Sequence, residues 1–265
     1  MEFNANDVPN RITSWVDAAA VVEYFSYFNQ HAWLFRGVTN ANHQLIPKIG
    51  REMTRGSKGR ERKRTPYRRE DEEAVFAMFQ QQARPHLANP PQSQLEWLAV
   101  AQHFGLPTRL LDWTDGFLVA LWFAVERGGA GEGDSAVWVA RGIDPLHPVH
   151  EDAPFGLGVA LSYRPPYISP RIAAQGSVFV LCPQPTEPLN PPFVRQITIQ
   201  QSSEFTIKKR LNACGINRRH LFPDLGGLGE HLGWLYKNDW LAGYRANCES
   251  PSAAQQASED DGGQE

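Results

Sequence analysis

Apolar residues in the first half of the chain recur mainly at helical spacing. Between residues 11 and 30, Val16, Ala19, Val22 and Phe25 fall on one face, which predicts an amphipathic helix. The same spacing predicts further helices over residues 70–84, 93–104, 117–126, 203–214 and 226–236. The helix over 117–126 carries almost no polar residue, so we expect it to be buried nearly all round, with Thr114 or Asp115 as its N-terminal cap.

Short runs rich in β-branched and aromatic residues predict strands, most of them in the second half. They cover residues 31–38, 136–140, 177–181 and 196–200. A proline-rich connection over residues 144–170 separates two of them. The pattern predicts an α+β fold, with a helical N-terminal half that contains one short arginine-bearing strand and a β-rich half closed by helices.

The chain is predicted to form one domain over residues 12–236, followed by a C-terminal extension over 237–265. The extension is acidic and polar at its end, which predicts disorder from about residue 249. A stretch inside the domain, residues 52–69, is strongly basic and lacks apolar periodicity, so we expect a mobile, solvated loop there. The alternative for this loop is contact with nucleic-acid phosphates.

Composition narrows the class of protein. The 265 residues are 42% hydrophobic and carry a net charge of −3, so the whole chain is not a nucleic-acid or membrane binder by charge. Three cysteines at irregular spacing indicate reduced thiols rather than disulfides or a zinc site. The first residues, MEFNANDVPN, lack the features of a signal peptide, and no apolar run reaches transmembrane length. We therefore expect a cytoplasmic protein.

Several ordered motifs resemble the FRG domain family, which is named for a phenylalanine-arginine-glycine sequence and occurs in bacteria and phages. They are Phe35–Arg36–Gly37, Leu45–Ile46–Pro47 with Arg51, the central block Trp97–Thr114, the helix segment Ala120–Ala124, Arg171–Gly176 and Leu221–Leu225. One departure is Gly116–Phe117, where the family usually has a small residue and a proline. The resemblance implies a fold more than an activity. A role as a toxin or anti-phage effector is implied by analogy alone.

Arg36 is the first candidate for chemistry, because it lies in an otherwise apolar strand. A guanidinium cannot be neutralised, so its burial requires an acid or an anionic ligand that matches its planar shape. Gly37 beside it leaves room for a ligand or another backbone. An internal salt bridge from Arg36 to Asp112 or Glu96 is the structural alternative.

The aromatic-Arg-Gly strand end is also similar to one found in ADP-ribosyltransferases, where the arginine holds the phosphates or ribose of NAD. By that resemblance Thr108, Arg109, Asp112, Trp113 and Thr114 stand in for a second motif, with Trp113 stacking on a base or on nicotinamide. The catalytic glutamate has no clear counterpart. The positions that could take its place are Gln175, which lacks a carboxylate, and Glu204, which also fits a favourable charge in the first turn of a helix.

Other constellations give different functions. Gln102 and His103 precede Arg109 and Asp112, and a histidine held by an aspartate suits a general base in a hydrolase or metal-independent nuclease. A brace for the turn is the alternative role for these residues. His147 and His150 lack a matching pair of metal ligands, so no metal site is predicted. Asp224 is expected to be a structural cap.

The sequence therefore predicts a polar cluster of Arg36, Arg109 and Asp112 beneath the apolar helix. The expected catalytic residues are Arg36, Glu204 and Gln175, and the expected ligand-binding residues are Arg36, Gly37, Gln102, His103, Thr108, Arg109, Asp112, Trp113 and Thr114. No permanently bound cofactor is expected, and NAD is the expected substrate. The competing hypothesis is a non-catalytic module that binds a nucleotide, a nucleic acid or a protein.

Overall fold

The structure is a computed structural model, and it describes residues 9–28, 33–51, 53–55, 63–131, 133–147, 151–166, 169–238 and 240. The chain divides into two compact units, Met1–Ile216 and Asn217–Glu265. The predicted extension from residue 249 lies outside the described residues, and the predicted domain limits stay a prediction.

A mixed seven-stranded sheet forms the centre of the first unit. Its strands are β1 (Arg11–Ile12), β2 (Leu34–Val38), β5 (Leu110–Thr114), β6 (Ser135–Arg141), β7 (Leu161–Tyr163), β8 (Ser177–Leu181) and β9 (Phe193–Ile199), and the order across the sheet is β1-β9-β6-β2-β5-β8-β7. The β1–β9 pair is parallel, and the other neighbouring pairs are antiparallel. The predicted α+β class is confirmed.

Eight α-helices are present in the described part of the chain. In the first unit they are α1 (Trp15–Ser26), α2 (Arg69–Ala83), α3 (Gln94–His103), α4 (Phe117–Ala124), α5 (Pro170–Ala174) and α6 (Glu204–Ala213). The second unit contains α7 (Arg218–Leu221) and α8 (Leu225–Lys237). No helix that the structure describes has the length and apolar character needed to cross a membrane.

Local signals explain where the helices begin and end. Ser14 and Asp17 form a complete capping box at the start of α1. Ser93 caps α3 by accepting from Glu96 N, and the chain leaves the helix through Gly105, whose φ of +94° favours glycine. Asp224 caps α8 by accepting from Gly227 N, as expected for a structural aspartate.

Three local predictions are corrected. Residues 110–114, for which no strand was predicted, form β5 in the middle of the sheet, because they pair with β8 over five residues. The N-terminal cap of α4 is Gly116 without a side-chain hydrogen bond, since Thr114 is committed to β5. The predicted helix over 11–30 is shorter, because Arg11–Ile12 pairs with β9.

The basic stretch is partly ordered. A two-stranded antiparallel ribbon of β3 (Met53–Arg55) and β4 (Lys63–Thr65) occupies part of the range expected to be a mobile loop. The ribbon is paired from Met53↔Thr65 to Arg55↔Lys63. Residue 52 and residues 56–62 of the predicted loop lie outside the described residues, and its last residue, Arg69, begins α2.

Alternation along the strands divides the core into two layers on opposite faces of the sheet. Leu110, Phe179 and Leu181 pack against α3 and Phe76 on one face. On the other face, Leu111, Trp113, Val178 and Val180 pack with other buried residues, including Leu34, Leu45, Ala140 and Cys182. The two layers hold β5 and β8 as a pair that is buried on both sides.

The pairing of β2 with β5 is much shorter than that of its neighbours. Among the described residues, the β2–β5 register consists of the pair Phe35↔Thr114, whereas β2 pairs with β6 over five residues and β5 pairs with β8 over five. The sheet thus consists of two well-paired parts, β1-β9-β6-β2 and β5-β8-β7, joined at a narrow seam. We call this β2–β5 junction the seam.

Candidate functional site

A cavity of about 250 Å³ lies at the seam. Strands β2, β5 and β8 supply its sides, and helices α3, α4 and α5 contribute residues around them. The lining residues are Phe35, Arg36, Gly37, Gln102, His103, Asp112, Trp113, Thr114, Phe123, Arg171, Ile172, Gln175, Ser177 and Phe179. The cavity therefore combines two guanidinium groups, one carboxylate and several aromatic rings.

Arg36 reaches the seam from β2. Its Nη1 donates to the carbonyl oxygen of Asp112 at 2.5 Å and lies 3.8 Å from the carboxylate oxygen Oδ2. The side chain is 15% exposed, and burial lowers its pKa despite the nearby carboxylate. Within the described residues these are its polar contacts, so the remaining guanidinium donors are available to a ligand. Glu96, the other expected partner, instead accepts from Gln92 N.

A short relay holds the Asp112 carboxylate. Gln102 Nε2 donates to Asp112 Oδ1 at 2.7 Å, and Thr108 Oγ1 donates to Gln102 Oε1. Thr108 Oγ1 in turn accepts from Leu110 N at 3.2 Å. The amide of Gln102 is therefore oriented by a hydroxyl behind it, while the side chain of Asp112 stays 64% exposed. Thr108 is buried and does not line the cavity, so it acts on the site through Gln102.

Gly37 lets helix α4 lie directly on β2. A Cβ atom at this position would stand 2.0 Å from Ala120 O and 2.6 Å from Ala124 N. The sequence left open whether Gly37 makes room for a ligand or for another backbone. The structure shows the backbone of α4 in that space. The apolar helix thus closes one side of the cavity and brings Phe123 to its wall.

The opposite wall comes from α5 and the turn before β8. Ser169 caps α5 by accepting from Ile172 N, and Thr114 Oγ1 donates to Gln175 O at 2.7 Å. Gly176 has a φ of +52°, and a Cβ atom there would stand 2.5 Å from Asp115 Oδ1. These contacts fix α5 against the end of β5, and Arg171 and Gln175 line the same cavity as Arg36.

The aromatic residues differ in how much ring they present. Trp113, the predicted stacking residue, is 3% exposed and belongs to the buried layer with Leu111 and Val178. Phe123 is half-buried, so it has more ring surface available to a ligand. His103 also lines the cavity at the end of α3, with Phe104 at an edge-to-face ring distance of 4.9 Å.

The structure corrects the position of Arg109. Its side chain points away from the expected cluster and forms a buried ion pair with Glu72 of α2, with Nη2 to Oε2 at 2.7 Å. Tyr67 bridges the pair, since Arg109 Nη2 donates to its oxygen and its hydroxyl donates to Glu72. The guanidinium also lies 4.7 Å from the ring centre of Phe155. Arg109 is thus a structural link between β5 and α2.

Glu204 is also placed elsewhere. It begins α6, is 2% exposed, and its Oε2 accepts from Gly129 N at 2.8 Å, so its carboxylate holds the loop that follows α4. It does not line the cavity. Arg36 and Glu204, both expected to be catalytic, therefore do not face one cavity, and Asp112 is the carboxylate that the described lining supplies.

Comparison with known families agrees with the sequence motifs. Residues 31–132 match the model of the FRG domain. This match supports an FRG domain over these residues. The matched segment contains β2, α3, β5 and α4, and hence most of the cavity. Arg171, Gln175 and the β8 residues come from outside it. No curated protein and no solved structure matches the chain.

Sequence reasoning missed some cavity residues, chiefly Arg171, Phe123 and Phe179. The sequence indicates Arg171 only as part of a motif of the FRG resemblance, because α5 begins at Pro170, the last residue of the proline-rich connection. Ser169 before Pro170 is the signal that could have found the helix, because a serine cap followed by a proline at the first position favours a helix start.

Proposed function

We propose that the seam cavity of this FRG domain binds a phosphate-bearing nucleotide, with NAD as the leading ligand, and that the protein transfers ADP-ribose from it. The observation that carries the proposal is Arg36, a buried guanidinium that faces the cavity with unused donors. Keeping such a charge buried favours an anionic ligand, since a phosphate can accept two parallel hydrogen bonds from one guanidinium.

Positive charge around Arg36 supports an anionic ligand. Arg171 lines the same cavity. Arg51 is near enough to lower the pKa of Arg36 further, after the larger effect of burial. Burial, with Arg51, Arg127 and Arg36 nearby, also lowers the pKa of His43. The arginines near Arg36 therefore favour an anionic ligand although the whole chain carries a net charge of −3.

The size of the cavity limits what it holds. Sites for drug-sized ligands are about 300–1,000 Å³. At about 250 Å³, the cavity suits one nucleotide half of NAD rather than the whole molecule, so the other half would extend outside. Phe123 supplies an apolar surface for a ring, and Arg36 and Arg171 supply donors for phosphate.

In the proposed reaction, the bond between the ribose C1′ and the nicotinamide nitrogen breaks, and its electron pair leaves with neutral nicotinamide. An acceptor forms a new bond to C1′ and releases one proton. Asp112 stabilises the developing positive charge on the ribose, and Gln175 orients it by hydrogen bonding. These roles need a carboxylate beside Arg36, which Asp112 provides and Glu204 does not.

A non-catalytic nucleotide-binding module is the second candidate. Asp112 already accepts from Gln102 and lies near Arg36, and both contacts reduce its freedom to act in a reaction. A nuclease is the third candidate, since His103 lines the cavity. The loop between β3 and β4, which would bring phosphate contacts, lies outside the described residues. A toxin or anti-phage role rests on analogy alone.

The test combines calorimetric titration of NAD with proton NMR of the nicotinamide signals. We expect wild type to bind NAD, Arg36→Lys to bind more weakly because a point charge replaces the planar donor set, and Arg36→Ala to lose binding. Arg11→Ala is the matched control, since Arg11 pairs with Asp134 on the surface and does not line the cavity.

Nicotinamide release by wild type and by Arg11→Ala, and its loss in Arg36→Ala, supports the transferase. Binding without release in the presence of candidate acceptors favours the non-catalytic module. If NAD, ADP-ribose and ADP all fail to bind wild type, the nucleotide proposal is wrong.

A further inference from the structure

We propose that Asp112 recognises a ribose hydroxyl and restricts the cavity to ribonucleotides. This inference rests on the proposed nucleotide site and defines the class of ligand that it accepts. The observation behind it is the juxtaposition of opposite charges: Asp112 Oδ2 lies 3.8 Å from Arg36 Nη1 in the same cavity.

A ligand that fits this arrangement must carry both acceptors and donors. Arg36 presents donors only, while an ionised Asp112 presents acceptors only. Inorganic phosphate satisfies the arginine but is repelled by the neighbouring carboxylate. A ribonucleotide carries phosphate oxygens and hydroxyl donors a few ångströms apart. A 2′-deoxynucleotide lacks one of those donors, so it leaves part of the carboxylate without a partner.

The carboxylate is held in one orientation. Oδ1 accepts from Gln102 Nε2, which leaves Oδ2 as the oxygen nearer to Arg36. The backbone of Asp112 is fixed by the pairing of β5 with β8, where it lies opposite Phe179. The Thr108 hydroxyl fixes the amide of Gln102 in turn. Gln102 and Thr108 are therefore positioning residues, and Asp112 is the group that contacts the ligand.

Orientation matters because a charged hydrogen bond depends on geometry. When a ligand cannot make its hydrogen bond to the charged carboxylate and still shields that carboxylate from water, its affinity falls by about 10- to 100-fold. Since Asp112 is 64% exposed before the ligand enters, its substitution does not open the protein core. The effect is therefore measurable as binding selectivity in a folded protein.

The experiment compares ADP with 2′-deoxy-ADP by calorimetric titration. Wild type is expected to prefer ADP by about 10- to 100-fold, which corresponds to one charged hydrogen bond. Asp112→Asn keeps the shape of the side chain but loses its charge, and we expect the preference to fall to about threefold or less. Asp115→Asn is the matched control, because Asp115 pairs with Arg164 and does not line the cavity.

The relay is tested through the same ratio of affinities. Thr108→Val removes the donor to Gln102 without a large change in volume, so the preference for ADP should fall, and Thr108→Ser should restore it. A merely structural effect would weaken both nucleotides equally and leave the ratio unchanged.

The outcomes separate the two proposals. If wild type binds ADP and 2′-deoxy-ADP equally well, ribose recognition is wrong while nucleotide binding stands. A preference that survives in Asp112→Asn also overturns the role of Asp112. If neither nucleotide binds, the proposed function itself fails.

Discussion

At the scale of single residues, the structure separates two arginines that the sequence placed in one cluster. Arg36 has one hydrogen bond and a loose ion pair in a cavity, whereas Arg109 has a close carboxylate, a tyrosine and an aromatic ring around it. Both side chains are largely buried. The difference is that Arg36 lines the cavity whereas Arg109 does not, so burial alone does not distinguish a ligand-binding arginine from a structural one.

Removal of one partner from the Arg109–Glu72 pair should destabilise the protein strongly. Both side chains are 2% exposed, so Glu72→Gln leaves a buried guanidinium uncompensated, at a cost of about 3–5 kcal/mol in the free energy of unfolding. Urea denaturation measures this loss. Glu73→Gln is the control: that carboxylate makes an exposed pair with Arg69, and its loss should change the free energy of unfolding far less. Equal effects of the two changes would contradict the buried link.

Tyr67 should make stability fall in strongly alkaline solution. Burial, followed by the hydrogen bond and charge of Glu72, raises the pKa of Tyr67 from 10.0 to about 12. A raised pKa in the folded state gives stability that is full below pH 10 and is lost as pH rises towards 12. The difference in unfolding free energy between wild type and Tyr67→Phe should therefore shrink over this range. A difference that stays constant across that range would argue against the shifted pKa.

At the scale of elements, sequence patterns predicted correctly those helices and strands whose own residues favour the conformation that they adopt in the structure. The strand over 177–181 is found at the predicted bounds, and α3 begins directly after Ser93, where the sequence predicts a helix to start. The strand β5 was not predicted because Thr108 and Arg109 come directly before it and Asp112 interrupts its apolar residues. Its strand conformation follows from pairing with β8, more than sixty residues away, which no local window contains.

Close packing of α4 on β2 predicts a large effect at Gly37. Gly37→Ala places a methyl group 2.0 Å from Ala120 O, so backbone must move, at a cost of about 1–3 kcal/mol or more. The same shift moves Arg36 and should weaken NAD binding. Gly229→Ala is the control, because a Cβ there meets nothing within 4 Å in the middle of α8, and it should raise stability by about 0.5–1 kcal/mol. Thermal unfolding measures both changes, and a neutral Gly37→Ala would contradict the contact.

At the scale of the whole first unit, the site follows from a topology that sequence alone did not predict. Arg36, Gln102 and Asp112 are among the residues predicted to bind a ligand, and they line one cavity. Arg171 and Phe179 join them only because β8 pairs with β5 on the side away from β2. The cavity lies where the sheet is least paired, and Arg36 donates to the Asp112 carbonyl at that point. The Arg36 side chain thus supplies a hydrogen bond to the backbone carbonyl of Asp112 beside the cavity.

A seam with one residue pair should open more easily than the rest of the sheet. Strands β6 and β9 pair over seven residues, so their amides should exchange hydrogen only through global unfolding. Amides of β2 and β5 that face the seam should exchange through a smaller, local opening. Native-state hydrogen exchange measures both classes of amide.

A nucleotide that binds across the seam contacts Arg36 on one side and Asp112 on the other, so it should slow hydrogen exchange of the amides at the seam. The β6–β9 amides should be slowed only by the overall stabilisation that binding gives the folded protein. If the amides of the free protein were all equally protected from exchange, the two parts of the sheet would open together. The cavity would then be a rigid feature of the fold rather than a junction that the ligand closes.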